Sequence, residues 1–245
     1  MSTRQRPNLL FLYTDEQRFD TLSAYGNDLI QMPNLNALAE RATIVEEAYV
    51  TQPVCTPSRS SLLTGLYPHT NGCVANNVPL PDDVPCLPEM LPSGYVCGHY
   101  GKWHLGDEIF AQHGFSHWRG IEDGYREFYS AGRDRSALSH YQLWLKEKHG
   151  LTPPDGKEFF SRQDVTELPE ECSKPAFLAE EAESFLRDHK DESFALYVNF
   201  LEPHMPFFSP RDDQYDPAEI PLPENFEATP DETSPPRTRA NTAKP

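Results

Sequence analysis

Long apolar runs, basic charge and closely spaced cysteine pairs are what this sequence has little of. No stretch of its 245 residues approaches the ~20 apolar residues of a transmembrane helix. Basic residues number 21 against 38 acidic ones, giving a net charge of −17 and a pI near 4.8. That balance argues against non-specific binding to nucleic acid or an anionic membrane, and it makes basic residues gathered at a site more telling. The five cysteines, Cys55, Cys73, Cys86, Cys97 and Cys172, form no Cys-x-x-Cys, so their spacing supports no zinc or redox site. In a reducing compartment they are expected to be free thiols. No internal repeat is present. The N-terminus, Met1 to Tyr13, joins positive charge to a short apolar run, but Asp15 and Glu16 follow at once without a small-residue cleavage site. It reads as a first buried strand rather than a signal peptide, and the chain is expected to be cytoplasmic.

What is present is a polar globular composition, 38% hydrophobic and 11% aromatic with a mean hydropathy of −0.64, long enough for one domain and a tail. Asn8–Thr14 is a continuous apolar run of the kind found in a central strand. Residues 34–42 carry Leu35, Leu38, Ala39 and Ala42 at helical spacing. Residues 68–92 read mostly as loop, with one helical turn near Leu87. Tyr95–Tyr100 reads as a strand broken by Gly101, and 139–148 as a short helix. The clearest helix is 175–190, whose stripe is Phe177, Leu178, Ala182, Phe185 and Leu186. A buried strand, Phe194–Leu201, follows. Strand, helix and strand in alternation predict an α/β fold with a largely parallel central sheet flanked by helices, whose ligands gather at the carboxyl ends of the strands. After Pro203 the chain changes character: ten of the 24 prolines lie between Pro203 and Pro245. We therefore divide it into residues 1–210 and an irregular proline-rich acidic tail, 211–245.

Four segments carry chemistry. The first is Cys55-Thr56-Pro57-Ser58-Arg59, continuing to Thr64-Gly65. Pro57 suits a first helical position and Gly65 the residue past the end, so Cys55 is expected at a helix N-terminus, where free N–H groups favour an anion. Arg59, about one turn on, can reach the same anion. The second is Gly94-Tyr95 leading to Gly101-Lys102-Trp103-His104-Leu105-Gly106. In an extended segment Lys102 and His104 would share a face, Lys102 offering a compact charge and His104 a donor that titrates near neutral pH. The third is Thr14-Asp15-Glu16 at the end of the first strand, where adjacent carboxylates can take a hard cation. The fourth is Glu202-Pro203-His204-Met205-Pro206-Phe207 after the late strand. His69, Asn71, Asn76 and Asn77 lie beyond the Cys55 helix, as turn residues or as pocket lining.

Together these segments resemble the type I sulfatase family of the alkaline-phosphatase-like superfamily. The Cys-x-Pro-Ser-Arg…Thr-Gly and Gly-Lys-Trp-His-Leu-Gly signatures are met at every position, and the resemblance covers roughly the first 210 residues. It implies an alkaline-phosphatase-like fold and hydrolysis of a sulfate ester or sulfamate. It further implies that Cys55 is converted to formylglycine by a formylglycine-generating enzyme, the hydrated aldehyde being the nucleophile. A divalent metal, Ca²⁺ or Mg²⁺ or Mn²⁺, would be held by Asp15, Glu16 and the modified Cys55. Glu16 stands where the family more often has a second Asp. Arg59, Lys102, His104 and His204 are the implied catalytic residues around a small anionic sulfated substrate. The family's catalytic domain runs on beyond this length, with a further metal-binding pair and another Lys that have no counterpart here. The sequence thus reads as the N-terminal portion of such a domain, truncated and incomplete at its C-terminal side. A phosphonate or phosphodiester hydrolase of the same superfamily remains an alternative, as does a non-catalytic remnant or binding module completed by another chain or an oligomer.

Overall fold

The computed structural model describes residues 6–222 together with 226, 227, 229 and 233. The chain divides into two compact units, residues 1–210 and 211–245. In the first, four strands, β1 (Leu9–Asp15), β2 (Tyr95–Gly101), β3 (His117–Arg119) and β4 (Ser193–Pro203), form one sheet in the order β1-β4-β2-β3, and every pairing is parallel. Parallel neighbours need crossovers, and helices supply them. Among these are α1 (Pro33–Ala39), α2 (Cys55–Thr64), α3 (Pro68–Asn71), α4 (Leu87–Met90), α5 (His140–His149), α6 (Arg162–Thr166) and α7 (Lys174–Asp188). The α/β class with a parallel sheet is therefore as the sequence predicts.

β4 runs between β1 and β2 and is covered on both faces, which is why its sequence is continuously apolar. Phe194, Leu196 and Val198 face a core with Tyr141, Leu145, Phe177, Leu178 and Phe185 from α5 and α7. Ala195 and Tyr197 face the opposite core of Leu63, Trp103, Phe115 and Trp118. The apolar stripe of α7 thus meets the sheet, and Ser173 starts the helix by accepting the Ala176 N–H.

β1 is not central among the described strands. It lies at the edge, and its burial alternates: Phe11 stacks on Tyr197 at 4.2 Å, while Leu10 and Leu12 remain 48% and 59% exposed. An unbroken apolar run cannot tell one covered face from two, so the sequence reading went too far. The α2 start also differs. Val54 is the N-cap, Cys55 the first helical residue and Pro57 the third, still within the first turn whose N–H groups have no helical acceptor. The helical turn predicted near Leu87 is α4, α3 adds a second turn within residues 68–92, and β3 and α6 lie outside the predicted elements. In the second unit the described residues hold single 3-10 turns at Asp212–Gln214 and Pro217–Glu219. The rest of the predicted irregular tail, including 234–245, lies outside the described residues. No described helix is long and apolar enough to cross a membrane.

Candidate active site

The sequence motifs meet at the carboxyl ends of three strands. Asp15 is the last residue of β1, Lys102 follows β2, and His204 follows β4. The register between β1 and β4 slips after Tyr13, so Asp15 opposes Pro203, four positions beyond the Asn199 that opposes Tyr13. Such irregularities re-aim a side chain at a strand end. β2 is stopped by Gly101 (φ +105°), where a Cβ would sit 1.9 Å from the Asn199 carbonyl oxygen, so only glycine fits. The Lys102 N–H then donates to that carbonyl at 3.0 Å.

Asp15, Lys102 and Arg59 are all buried. Lys102 Nζ is 2.5 Å from Asp15 Oδ2, and Arg59 Nη2 is 3.5 Å from the same oxygen. Arg59 Nη1 donates to the Lys102 carbonyl at 2.7 Å and its guanidinium lies over the Tyr13 ring. Burial by itself would push the Asp15 carboxyl up, but Arg59 and Lys102 together hold it below its ordinary value. Cys55 is half-buried, with Sγ 3.7 Å from Asp15 Oδ1. Burial pushes its thiol up, against the pull of Lys102. A plain thiol here is therefore a poor thiolate.

His104 does not sit in an extended segment. It adopts φ +59°, and the loop 102–104 turns instead of continuing β2. Three bonds hold that turn. Glu108, fully buried, accepts the Trp103 and His104 N–H groups at 2.7 and 2.6 Å, and Thr56 Oγ1 donates to the His104 carbonyl at 2.7 Å. His104 Nε2 meets Asn77 Oδ1 at 2.8 Å, which places its proton on Nε2 and leaves Nδ1 as a buried lone pair with no hydrogen-bond partner among the described residues. Burial, then Lys102 and Arg59, push His104 down to about 3. It stays neutral near pH 7, against the sequence expectation of a group titrating there; the cause is the Tyr125 ring packed at 4.4 Å and two cations close by.

Asp15, Cys55 and His204 each bring one donor atom to within 4.8 Å of the others. His204 donates from Nδ1 to the Met205 carbonyl at 2.8 Å, leaving Nε2 for this group, 3.6 Å from Glu16 Oε1. The Glu16 side chain, 51% exposed, pairs with His204 and is not one of the three converging donors. For a hard cation such as Ca²⁺, which takes roughly six to eight oxygens, Asp15 and Glu16 are a partial donor set, and one oxygen of Asp15 is already held by Lys102 and Arg59. These residues fit a divalent metal as one side of a cage and do not by themselves make the whole of it.

Among the weaker sequence candidates, Asn77 reaches the site through His104 and Asn76 Oδ1 accepts the Thr56 N–H at 3.0 Å. Asn71 ties α2 to α3 through Ser60, and His69 stacks on Tyr67, both structural contacts. The sequence reading missed Glu108 and Tyr125. Glu108 lies four residues after His104, close enough to be suspected as a clasp; Tyr125 carried no local signal.

The protein-family model Sulfatase matches residues 7–242. An ulvan-active sulfatase of Formosa agariphila is 36% identical over 125 residues, covering 48% of this chain and 24% of that protein. A solved structure of BT4656 in complex with its substrate D-glucosamine-2-N,6-O-disulfate superposes with a TM-score of 0.59 at 27% identity, over 84% of this chain and 37% of the other. The phosphonate monoester hydrolase SpPMH from Silicibacter pomeroyi superposes with a TM-score of 0.67 at 25% identity, over 88% and 46%. The chain spans between 20% and 40% of the lengths of the curated relatives it matches. With both signatures in place and the family matched along almost the whole sequence, the chain belongs to the sulfatase family.

Proposed function

We propose that this chain carries the nucleophile side of a sulfate-ester or sulfamate hydrolysis centre, in which Cys55 acts after conversion to formylglycine. The observation that carries the reading is the placement of Cys55 at the start of α2, 3.7 Å from a carboxylate that Lys102 and Arg59 both hold. The hydrated aldehyde would supply one oxygen to attack sulfur and a second whose deprotonation expels sulfate and restores the aldehyde. A divalent metal would polarise the sulfate oxygens, with Asp15 and Glu16 as this chain's carboxylates toward it.

Arg59 and Lys102 bring two buried cations to one side of the nucleophile, where they oppose the charge that grows on sulfate. Asp15 holds Lys102 in place. His104 Nδ1, a lone pair in an otherwise dry setting, is the acceptor for a hydroxyl proton of the hydrate. His204, its ring fixed by the Met205 carbonyl, would act on the departing oxygen or nitrogen in its protonated form, donating from Nε2. The substrate class is a small sulfated compound; the relative crystallised with a glucosamine disulfate makes sulfated amino sugars the first to assay.

The likeness to the Silicibacter pomeroyi phosphonate monoester hydrolase supports a second reading, phosphonate monoester hydrolysis at the same residues. The test is peptide mass spectrometry across Cys55 after co-expression with a formylglycine-generating enzyme, followed by parallel assays on sulfate and phosphonate monoesters. Replacement of the thiol by an aldehyde with sulfate turnover supports the proposal, and preference for the phosphonate selects the second reading. An intact Cys55 thiol in the presence of the active modifying enzyme sinks both and leaves a binding module or a remnant.

A further inference from the structure

A second group of mixed donors lies outside the residues discussed so far. Cys86 is the N-cap of α4, and its residue is fully buried. Glu89, in the same turn, accepts the Cys86 N–H at 2.8 Å, which fixes its carboxylate beside the thiol. His113 approaches from the loop ahead of β3 with its side chain only 2% exposed. One donor atom from each of the three lies within 4.8 Å of the other two. The imidazole of His113 is poorly satisfied as it stands. Its Nδ1 is 3.7 Å from Glu89 Oε2, beyond hydrogen-bond reach, and its Nε2 is buried with no hydrogen-bond partner among the described residues. Buried ring nitrogens are almost always paired, so an imidazole left this way asks for a partner of another kind.

A thiol, an imidazole and a carboxylate are zinc donors, whereas Ca²⁺ and Mg²⁺ prefer all-oxygen sets. Glu89, one third exposed at its side chain, leaves the group a way to solvent. The geometry points to a binding site for a late first-row divalent cation of the Zn²⁺ class, held by Cys86 Sγ, a ring nitrogen of His113 and the Glu89 carboxylate, with its fourth position open to water. It is independent of the hydrolytic reading, since none of its three ligands belongs to that site. On binding, the S–H bond of Cys86 breaks, a sulfur–metal bond forms and the proton goes to solvent; nothing is oxidised or reduced. Burial pushes the Cys86 thiol up to about 12, so uptake releases a proton and affinity rises with pH. The sequence hid this group because Cys86 and His113 are far apart and neither lies in a recognised ligand spacing.

Co²⁺ titration followed by absorption spectroscopy tests it, on the full chain carrying Cys55→Ser so that the thiol near Asp15 and His204 is removed. One equivalent is expected to give a thiolate-to-cobalt charge-transfer band, displaced by Zn²⁺ and untouched by excess Ca²⁺. Adding Cys86→Ser should abolish the band, and adding His113→Asn should weaken cobalt affinity at least about tenfold, the loss that removing even a group behind a ligand brings. Serine is a favoured N-cap and asparagine tolerates the left-handed backbone of His113 (φ +50°), so both variants keep the local fold, which a circular-dichroism melt checks. Absence of the band in Cys55→Ser, or a band that persists in folded Cys55→Ser/Cys86→Ser, overturns the assignment.

Discussion

Two regions of this molecule gather the same three kinds of group, a carboxylate, a lysine and an arginine, and use them differently. At the strand ends, Asp15 is met by Lys102 and Arg59. Near α6 and α7, Glu122 is met by Lys174 on one oxygen and by Arg162 Nε at 2.6 Å on the other. In the second triad both carboxylate oxygens are taken, and Arg162 goes on to donate to the Tyr125 hydroxyl at 2.9 Å. In the first, Lys102 and Arg59 crowd one oxygen while Asp15 Oδ1 faces Cys55, and Arg59 Nε and Nη2 have no hydrogen-bond acceptor among the described residues. A saturated triad ties elements together; one with spare donors and acceptors is prepared for something that arrives. The difference locates function without reference to any motif.

The largest effect expected at the open triad is from Cys55→Ser, which removes the residue the modifying enzyme would convert. Turnover on sulfate esters should fall at least about a thousandfold, read as kcat, with little change in melting temperature. Next come paired lysine variants that set the two triads against each other. Lys174→Met leaves Glu122 buried with one partner lost, at a cost of about 3–5 kcal/mol in unfolding free energy by denaturant titration. Lys102→Met leaves Asp15 with Arg59 and should cost less stability but about a hundredfold or more in kcat. Equal stability losses in the two would break the comparison.

Acid titration sharpens it. Glu122 is pushed down from 4.5 to about 2: burial alone would raise it, but Lys174 and Arg162 outweigh burial. A carboxyl depressed in the folded state contributes stability that is full above its unfolded pKa and is lost as pH falls through the folded value. Thermal stability should therefore drop between about pH 4.5 and pH 2, by on the order of 3 kcal/mol for this group, and Glu122→Gln should flatten that slope. The smallest effect concerns Glu108, which burial raises to about 7 even though it accepts two backbone N–H groups. Here the sign reverses: the folded state takes up a proton between about 4.5 and 7, so this group's contribution to stability falls as pH rises through that range. Protonation also takes one acceptor from the 102–104 turn. Activity should then decline below about pH 7 with a modest amplitude, within about tenfold, and Glu108→Gln should remove the inflection.

How much of this was legible beforehand depended on range along the chain. α7 and β4 announced themselves because their patterns repeat within one element: a 3.6-residue stripe and an unbroken apolar run. The four motifs were legible because each is a contiguous string: those around Cys55 and Lys102 are specific by themselves, while Asp15-Glu16 and His204 gained meaning only from the family they resemble. β1 was read as central because an apolar run does not reveal whether its outer face has a neighbour; Leu10 and Leu12 show that among the described residues it does not. His104 was read as a neutral-pH titrating group because its sequence says nothing of Tyr125, which comes from a loop twenty-one residues on.

The sequence by itself determined the alternation of strands and helices, the parallel sheet, and the identity of Asp15, Cys55, Arg59, Lys102, His104 and His204 as a candidate set, since local periodicity and short strings carry that information. Only the tertiary structure decided which oxygen of Asp15 faces Cys55, that His104 is neutral with its lone pair on Nδ1, that Glu108 clasps the turn, and that Cys86, Glu89 and His113 meet. Those facts depend on burial and on contacts between residues distant in sequence, and both are set when the sheet brings the strand ends together.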